Sequence, residues 1–145
     1  MTTTQSLFQT VLIVDDNEAD RYLLRRLLKK ADVAGEFVEQ EHGRDALEWL
    51  MESEGRRGGD TDPPLLIMVD INMPIMGGFG FLEKFGELRE AGKYRSAVLM
   101  MFSSSSHERD RERVKDYDFV RGYVVKIPAS PAELRASIEE IVSST

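Results

Sequence analysis

The stretch VLIVDDNEADR, residues 11–21, runs four apolar residues directly into two adjacent aspartates, Asp15 and Asp16. A short, continuous apolar run is typical of a strand that is buried on both faces. Because neighbouring carboxylates repel each other, a strand that ends in such a pair needs a compensating charge or a helix end beside it. The stretch therefore predicts a buried strand that ends at a concentration of negative charge.

Four further segments have the character of strands. Three are continuous apolar runs, and a fourth alternates polar and apolar residues over residues 36–40, which suits an edge strand. The three continuous runs lie at residues 65–69, 97–102 and 122–127, in addition to the run at residues 10–14. Segments with helical spacing separate the strands, and this alternation predicts a doubly wound α/β domain with a five-stranded parallel sheet.

Five segments have the spacing of amphipathic helices. The fourth, residues 108–117, has only Val114 and Tyr117 as strong apolar anchors, so we expect it to be loosely held and exposed. The fifth begins with the capping box SPAE at residues 130–133. The apolar anchors of the first three are Leu23, Leu24, Leu27 and Leu28 within residues 18–31, then Ala46, Leu47, Leu50 and Met51, then Phe81, Leu82, Phe85 and Leu88.

The length and composition indicate one globular domain. The 145 residues fit a single domain, expected over residues 10–143, with a flexible arm at residues 1–9 and no output domain. The glycine- and proline-rich residues 53–64 should form a surface loop on the far side from the strand ends. No apolar run is long enough to span a membrane, and the N-terminus lacks a signal peptide, so we expect a cytoplasmic protein.

Charge and residue usage exclude several kinds of site. The absence of cysteine excludes disulfides, thiol catalysis and cysteine metal ligands. The two histidines, His42 and His107, are too few for a histidine-rich zinc site and are interpreted as surface or cap residues. A formal net charge of −7 argues against direct binding of nucleic acid. Any metal here should be a hard ion bound by oxygen.

The polar residues that follow the strands are expected to meet at one edge of the sheet. Asp15 and Asp16 end the first strand, Asp70 the third, Ser103 the fourth, and Lys126 lies at the end of the last. In open parallel sheets, ligands bind at the carboxyl ends of the strands. Three carboxylates, a hydroxyl and an ammonium would therefore converge.

Three carboxylates about 5 Å apart would repel by roughly 3 kcal/mol per pair at an effective dielectric constant near 20, which requires a cation. Mg²⁺ prefers a few carboxylate oxygens together with water and a phosphate oxygen. In that arrangement Asp70 could attack phosphorus, while Lys126 and Ser103 bind the phosphoryl oxygens.

Each residue also has an ordinary structural interpretation. Asp16 could cap the first helix, and Asp70 could belong to a turn that contains proline and glycine. The serines from 103 to 106 could form a plain loop, and Lys126 could simply extend into water. The joint arrangement favours the functional interpretation, since all four coincidences would have to fall at the same edge.

These motifs resemble the receiver domain of bacterial two-component response regulators over residues 11–142. The resemblance rests on VLIVDDNEADR, on LLIMVDINMPIMGG, on the hydroxyl after AVLMMF and on GYVVK. It implies a flavodoxin-like fold with strand order 2-1-3-4-5 and five helices. It further implies these roles: Asp70 as phosphoacceptor, Asp15 and Asp16 as the acidic Mg²⁺ pair, the Asn72 backbone as a metal ligand, Ser103 as switch hydroxyl, Lys126 as the invariant lysine and Tyr123 as the switch aromatic.

The resemblance also implies partners. Family members accept a phosphoryl group from a phosphohistidine on a sensor histidine kinase, then bind or release a downstream protein through the fourth helix, last strand and last helix. The same face allows a homodimer. The C-terminal half looks most like regulators of the phytochrome-associated type. The basic face of the first helix, formed by Arg25, Arg26, Lys29 and Lys30, is interpreted as a kinase-docking surface or as a solvated helix face.

Three departures from the family pattern stand out. Proline usually follows the lysine directly with a cis peptide, whereas Ile127 separates Lys126 from Pro128 here. Gly77 precedes Gly78 where an acidic residue or asparagine is usual, which should loosen the turn beside Asp70. Ser104 is a second candidate for the switch hydroxyl.

Two rival functions remain open at this point. A magnesium-dependent aspartyl phosphatase of the haloacid dehalogenase type would need an acidic residue two positions after its nucleophile, and residue 72 is asparagine. A receiver-like scaffold that works without phosphorylation would fit the altered glycine turn and lysine loop.

Overall fold

The protein is described by a computed structural model that covers residues 7–57, 65–71, 77–94, 96–103, 108–125 and 130–143. Strands and helices alternate through the described residues. The elements are β1 (Phe8–Val14), α1 (Glu18–Lys30), β2 (Ala34–Gln40), α2 (Gly43–Arg57), β3 (Leu66–Val69), α3 (Gly78–Glu90), β4 (Val98–Ser103), α4 (Glu108–Val114), β5 (Val120–Val125) and α5 (Pro131–Ser143). Among the described residues, none of the helices combines the length and apolar character needed to cross a bilayer.

All five strands form one parallel sheet in the order β2-β1-β3-β4-β5. The predicted fold class and strand order are therefore confirmed, and so is the place of β2 at an edge. The strand order reverses between β1 and β3. Helix α1, which follows β1, packs in one apolar layer, and α3, which follows β3, packs in the other. In sheets of this kind the crevice at that switch point lies beside the ends of the central strands.

Alternate residues of the central strands pack into two separate apolar layers, one on each face of the sheet. Leu12 and Val14 of β1 face one layer, to which α2 and α3 contribute Leu50 and Phe85. Ile13 faces the other layer, where α1 and α5 pack. Met68, Met100 and Met101 are buried in these layers, as expected for methionines that fill a core.

Three predicted boundaries are wrong. β1 begins at Phe8, which is 1% exposed, so the N-terminal arm does not extend to residue 9. Helix α2 continues to Arg57, which makes residues 53–57 helical rather than part of the predicted loop, while residues 58–64 lie outside the described residues. Helix α4 ends at Val114, because Lys115 and the two residues after it donate to carbonyls only three positions back, which closes a tight turn.

The apolar stripe of α1 is narrower than its four leucines suggested. Leu24 and Leu28 are buried, whereas Leu23 is 51% exposed. The position at the start of the buried stripe is occupied by Arg21, which is 7% exposed. Met51 of α2 is likewise 51% exposed instead of buried. These helices lie against a sheet with a partner helix on the same face, so only part of each predicted stripe meets the core.

Candidate functional site

The pairing of β1 with β3 brings Asp15 and Asp70 to the same level of the sheet. Val14 is the register partner of Val69, and each aspartate follows one of these residues. The Asp70 amide donates to the Val14 carbonyl at 2.9 Å, and the Asp15 amide donates to the Gln40 carbonyl at 3.1 Å. Main-chain hydrogen bonds to neighbouring strands therefore fix both aspartates where the strands end.

Asp15, Asp16 and Asp70 form one cluster, in which one carboxylate oxygen from each residue lies within 4.8 Å of the others. Asp15 and Asp70 are 3% and 6% exposed, while Asp16 is open to solvent. Three hard oxygen donors from two loops, with one side open to water, fit Mg²⁺, which keeps several water ligands. A zinc site would instead favour nitrogen or sulfur donors.

Asp16 is not the cap of α1. The N-cap is Asn17, whose side-chain oxygen accepts a hydrogen bond from the Asp20 amide at 2.9 Å. The Asn17 amide in turn donates to Asp15 Oδ1 at 2.9 Å, which orients that carboxylate. Because Asn17 supplies the cap, the structural interpretation of Asp16 loses its basis.

The buried Arg21 holds the loop between β1 and α1, and sequence reasoning missed it. Its Nη1 donates to the Asp15 carbonyl at 2.6 Å, and its Nε contacts Glu39 Oε1 at 3.2 Å. Its Nη2 lies 3.6 Å from Glu41 Oε1. Arg21 falls three and seven positions before Leu24 and Leu28, so the helical period itself marked it as inward-facing.

The register of β4 and β5 brings Ser103 beside Val125, the residue before Lys126. The Ser103 backbone ends β4 at the same edge of the sheet as the aspartate cluster. The described part of the structure does not include the Ser103 side chain, Ser104, Asn72, Lys126 or the Ile127–Pro128 bond. Their roles stay predictions.

Tyr123 lies in β5 as the register partner of Met101 and is half-buried against the core. The Arg111 guanidinium of α4 lies over its ring, 5.1 Å from the ring centre. Among the described side chains of α4, only Val114 is buried, which confirms the expected light anchoring of this helix. Tyr123 and Arg111 therefore join a lightly packed helix to the strand that leads to Lys126.

Gly78, the first residue of α3, packs directly against the end of β3. Its amide donates to the Ile71 carbonyl at 3.0 Å. A Cβ at this position would lie 2.7 Å from both the Asp70 carbonyl oxygen and Ile71 Cα. The missing side chain of Gly78 therefore permits a close contact between two backbone segments. Residues 72–76 lie outside the described residues, so the loosening expected from Gly77 stays a prediction.

We expect Gly78→Ala to destabilise the fold by up to about 2 kcal/mol. Relief of two backbone overlaps costs about 1–3 kcal/mol, which exceeds the gain of roughly 1 kcal/mol from replacing glycine in a helix. The measurement is the free energy of unfolding in urea. Gly35→Ala is the matched control, since nothing lies within 4 Å of the added Cβ, and it should change stability by less than about 0.5 kcal/mol. Equal stability of the two variants would contradict the contact.

Comparison with known proteins gives a consistent picture. Residues 11–139 match the family model of the response regulator receiver domain. The chain is 33% identical over 129 residues to the chemotaxis protein CheY of Halobacterium salinarum, which covers 87% of this chain and 91% of that protein. Other curated relatives are longer, and this chain spans 11% of one and 40% of another.

Two solved structures extend the comparison. The bacteriophytochrome response regulator RtBRR is 26% identical with a TM-score of 0.70, covering 92% of this chain and 78% of that one. The receiver domain of the histidine kinase CKI1 from Arabidopsis thaliana, crystallised with Mg²⁺ and BeF₃⁻, shares the fold at 23% identity with a TM-score of 0.73, covering 94% and 91%. The parallel sheet, the aspartates at its strand ends and these matches together place the chain in the response regulator receiver domain family.

Proposed function

We propose that this protein is a phosphorylation-dependent signalling domain in which Asp70 accepts a phosphoryl group. The observation that carries the proposal is the convergence of Asp15, Asp16 and Asp70 within 4.8 Å at the switch point of the sheet. Asp70 is 6% exposed and fixed by its backbone, so its carboxylate has few orientations to lose before it reacts. Such a geometry suits attack on a phosphoryl donor that approaches from the open side.

Mg²⁺ would be bound by the carboxylates of Asp15, Asp16 and Asp70 and by the Asn72 carbonyl. When bound, the ion neutralises the crowded carboxylates and the phosphoryl oxygens. Lys126 would pair with a phosphoryl oxygen and Ser103 would donate a hydrogen bond to another. The exposed position of Asp16 leaves an entry path for the donor, whereas the buried faces of Asp15 and Asp70 exclude bulk water from the opposite side. The carboxylate carries the group between proteins, so the domain acts as an acceptor rather than as an enzyme.

Movement of Ser103 and Lys126 toward the phosphoryl group would pull on both ends of the segment from β4 to β5. Helix α4 lies in this segment and has a single buried anchor among its described side chains, so a few kcal/mol can reposition it. Tyr123 would change its contact with Arg111 as α4 moves. The face of α4, β5 and α5 would then bind or release a downstream protein, or a second copy of the chain.

The donor would be a sensor histidine kinase, and α1 offers it a basic surface. A cavity of about 530 Å³ there is lined by Tyr22, Arg25, Arg26, Lys29 and Phe37. The exposed Leu23 supplies apolar area on the same helix. Similarity to a bacteriophytochrome response regulator makes a phytochrome-type kinase the first one to try.

The direct test is incubation with acetyl phosphate and MgCl₂, followed by intact mass spectrometry. We expect the mass of one added phosphoryl group in the presence of Mg²⁺ and none after chelation with EDTA. Unchanged mass would favour a receiver-like scaffold that works without phosphorylation. Repeated turnover of small phosphoesters would instead identify a phosphatase.

A second expectation concerns stability. Mg²⁺ binds the folded cluster and not the unfolded chain, so saturating MgCl₂ should raise the free energy of unfolding by about 1–2 kcal/mol. The gain should disappear in Asp16→Asn, because one carboxylate ligand is lost. Urea unfolding with MgCl₂, compared with NaCl at equal ionic strength, measures the difference. Equal gains in both proteins would place the ion elsewhere.

A further inference from the structure

A second concave surface lies at the opposite end of the sheet from the aspartate cluster. We call it the α3 groove; it has a volume of about 480 Å³ and lies between the second half of α3 and the turn before β5. Its lining residues are Leu82, Glu83, Gly86, Glu87, Arg89, Glu90, Asp116, Tyr117, Asp118 and Phe119. Phe119 directly precedes the first residue of β5, whereas the aspartates follow the last residues of β1 and β3. Nothing in the phosphoryl-transfer proposal uses this surface.

The floor of the α3 groove is aromatic and fixed. Phe119 packs edge-on against Phe85 at 5.7 Å and against Tyr117 at 5.9 Å between ring centres. Gly86 permits this approach, since a Cβ there would lie 3.1 Å from the Phe119 ring. A glycine inside a helix costs up to about 1 kcal/mol of stability relative to alanine. At Gly86 the absence of a side chain allows the Phe119 ring to pack directly on the helix.

The rim of the groove is strongly acidic. Five carboxylates line it against a single guanidinium, that of Arg89. Arg89 is turned toward the fold itself, because its Nη1 donates to the Tyr94 carbonyl at 2.9 Å and its guanidinium lies over Phe119. Within the part of the chain that the structure describes, the exposed Glu90, Asp116 and Asp118 are in no ion pair. The groove therefore has negative charge that the fold does not balance locally.

The aromatic rings of this region already accept guanidinium groups from the chain itself. Arg113 lies over Phe79, 3.9 Å from the ring centre, and Phe79 contacts Tyr117 at 6.2 Å. Burial, and then a hydrogen bond to Glu83, raises the pKa of the Tyr117 phenol, so its hydroxyl remains the donor in that bond. Planar guanidinium groups bind carboxylates in a fork and stack on aromatic faces, which lysine does less well.

We propose that the α3 groove binds an extended, arginine-rich segment of another protein. Its volume lies within the range of peptide and ligand sites, and its charge and aromatic floor suit guanidinium side chains. A second copy of this chain fits less well, since its own cationic cavity on α1 is concave too. Such a head-to-tail contact would also generate rings or open chains instead of a two-fold symmetric dimer.

The test uses a hexa-arginine peptide with blocked ends, titrated into the ¹⁵N-labelled protein while amide NMR shifts are recorded. We expect the shifts to concentrate in residues 82–90 and 116–119. The double variant Glu90→Gln/Asp118→Asn should weaken binding by about five- to tenfold, because two exposed charge contacts are lost. A hexa-lysine peptide should bind more weakly than hexa-arginine to the unmodified protein.

The matched control is Glu52→Gln/Glu140→Gln, which removes the same formal charge from exposed positions on α2 and α5. This control should bind the peptide as the unmodified protein does. Equal weakening in both double variants would show general attraction to an acidic protein and would overturn the proposal. Shifts confined to another surface, or self-association through the groove in place of peptide binding, would overturn it as well. Phosphorylation of Asp70 is not required in any of these measurements, so their outcome is independent of the proposed function.

Discussion

Asp70→Asn is expected to abolish phosphorylation by acetyl phosphate completely. The amide has nearly the shape of the carboxylate but lacks its negative charge, so it cannot attack phosphorus as the carboxylate does. Asp70 is held by a 2.9 Å main-chain bond to Val14 that does not involve its side chain. The backbone at the site should therefore stay in place while the chemistry is lost. Intact mass spectrometry after incubation with MgCl₂ gives the readout.

The control for this variant is Asp118→Asn, the same change at an exposed residue at the opposite edge of the sheet. It should take up the phosphoryl group as readily as the unmodified protein. If Asp70→Asn still gained one phosphoryl group, the acceptor would be another residue, and peptide mapping would identify it. Far-UV circular dichroism of both variants separates loss of chemistry from loss of fold.

Much of the fold could be predicted because short apolar runs and their alternation with helical segments can be recognised within the sequence itself. A continuous apolar run such as residues 10–14 can only be satisfied by burial on both faces, and alternation with helices leaves few topologies. The same reasoning placed Asp15, Asp16 and Asp70 at one edge, since parallel strands end together. The resemblance of the flanking motifs to receiver domains then supplied the strand order.

What could not be predicted depends on contacts between distant segments. Leu23 and Leu24 are identical in type, yet only one is buried, because the width of the buried stripe is set by how α1 lies between the sheet and α5. The sequence pattern at Gly77 and Gly78 did not indicate the close contact of Gly78 with the end of β3, which depends on how the two backbone segments approach in the folded chain. The burial of Arg21 likewise depends on Glu39, eighteen positions later.

Arg21→Met is expected to lower the free energy of unfolding by about 2–3 kcal/mol. Methionine keeps the apolar stem but removes every donor, which leaves the buried Asp15 carbonyl without the 2.6 Å bond from Nη1. Breaking a fully buried ion pair costs about 3–5 kcal/mol. We expect a smaller loss here because the Glu39 side chain is 26% exposed and retains its 2.9 Å contact with Arg25. Urea unfolding in Mg²⁺-free buffer measures this loss.

Arg21 should also control the affinity for Mg²⁺ through the position of Asp15. Residues that orient a metal ligand typically change metal affinity by about tenfold or more when replaced. The Mg²⁺ concentration that gives half the maximal rate of phosphorylation should therefore rise by about tenfold in Arg21→Met. Arg25→Met is the matched control, since Arg25 also pairs with the Glu39 carboxylate but has a side chain that is 44% exposed. Arg25→Met should lower the free energy of unfolding by less than about 1 kcal/mol. It should leave the Mg²⁺ dependence of the phosphorylation rate unchanged. If the two variants shifted the Mg²⁺ dependence equally, the general charge near α1, rather than the hold of Arg21 on the Asp15 loop, would set the affinity of the site.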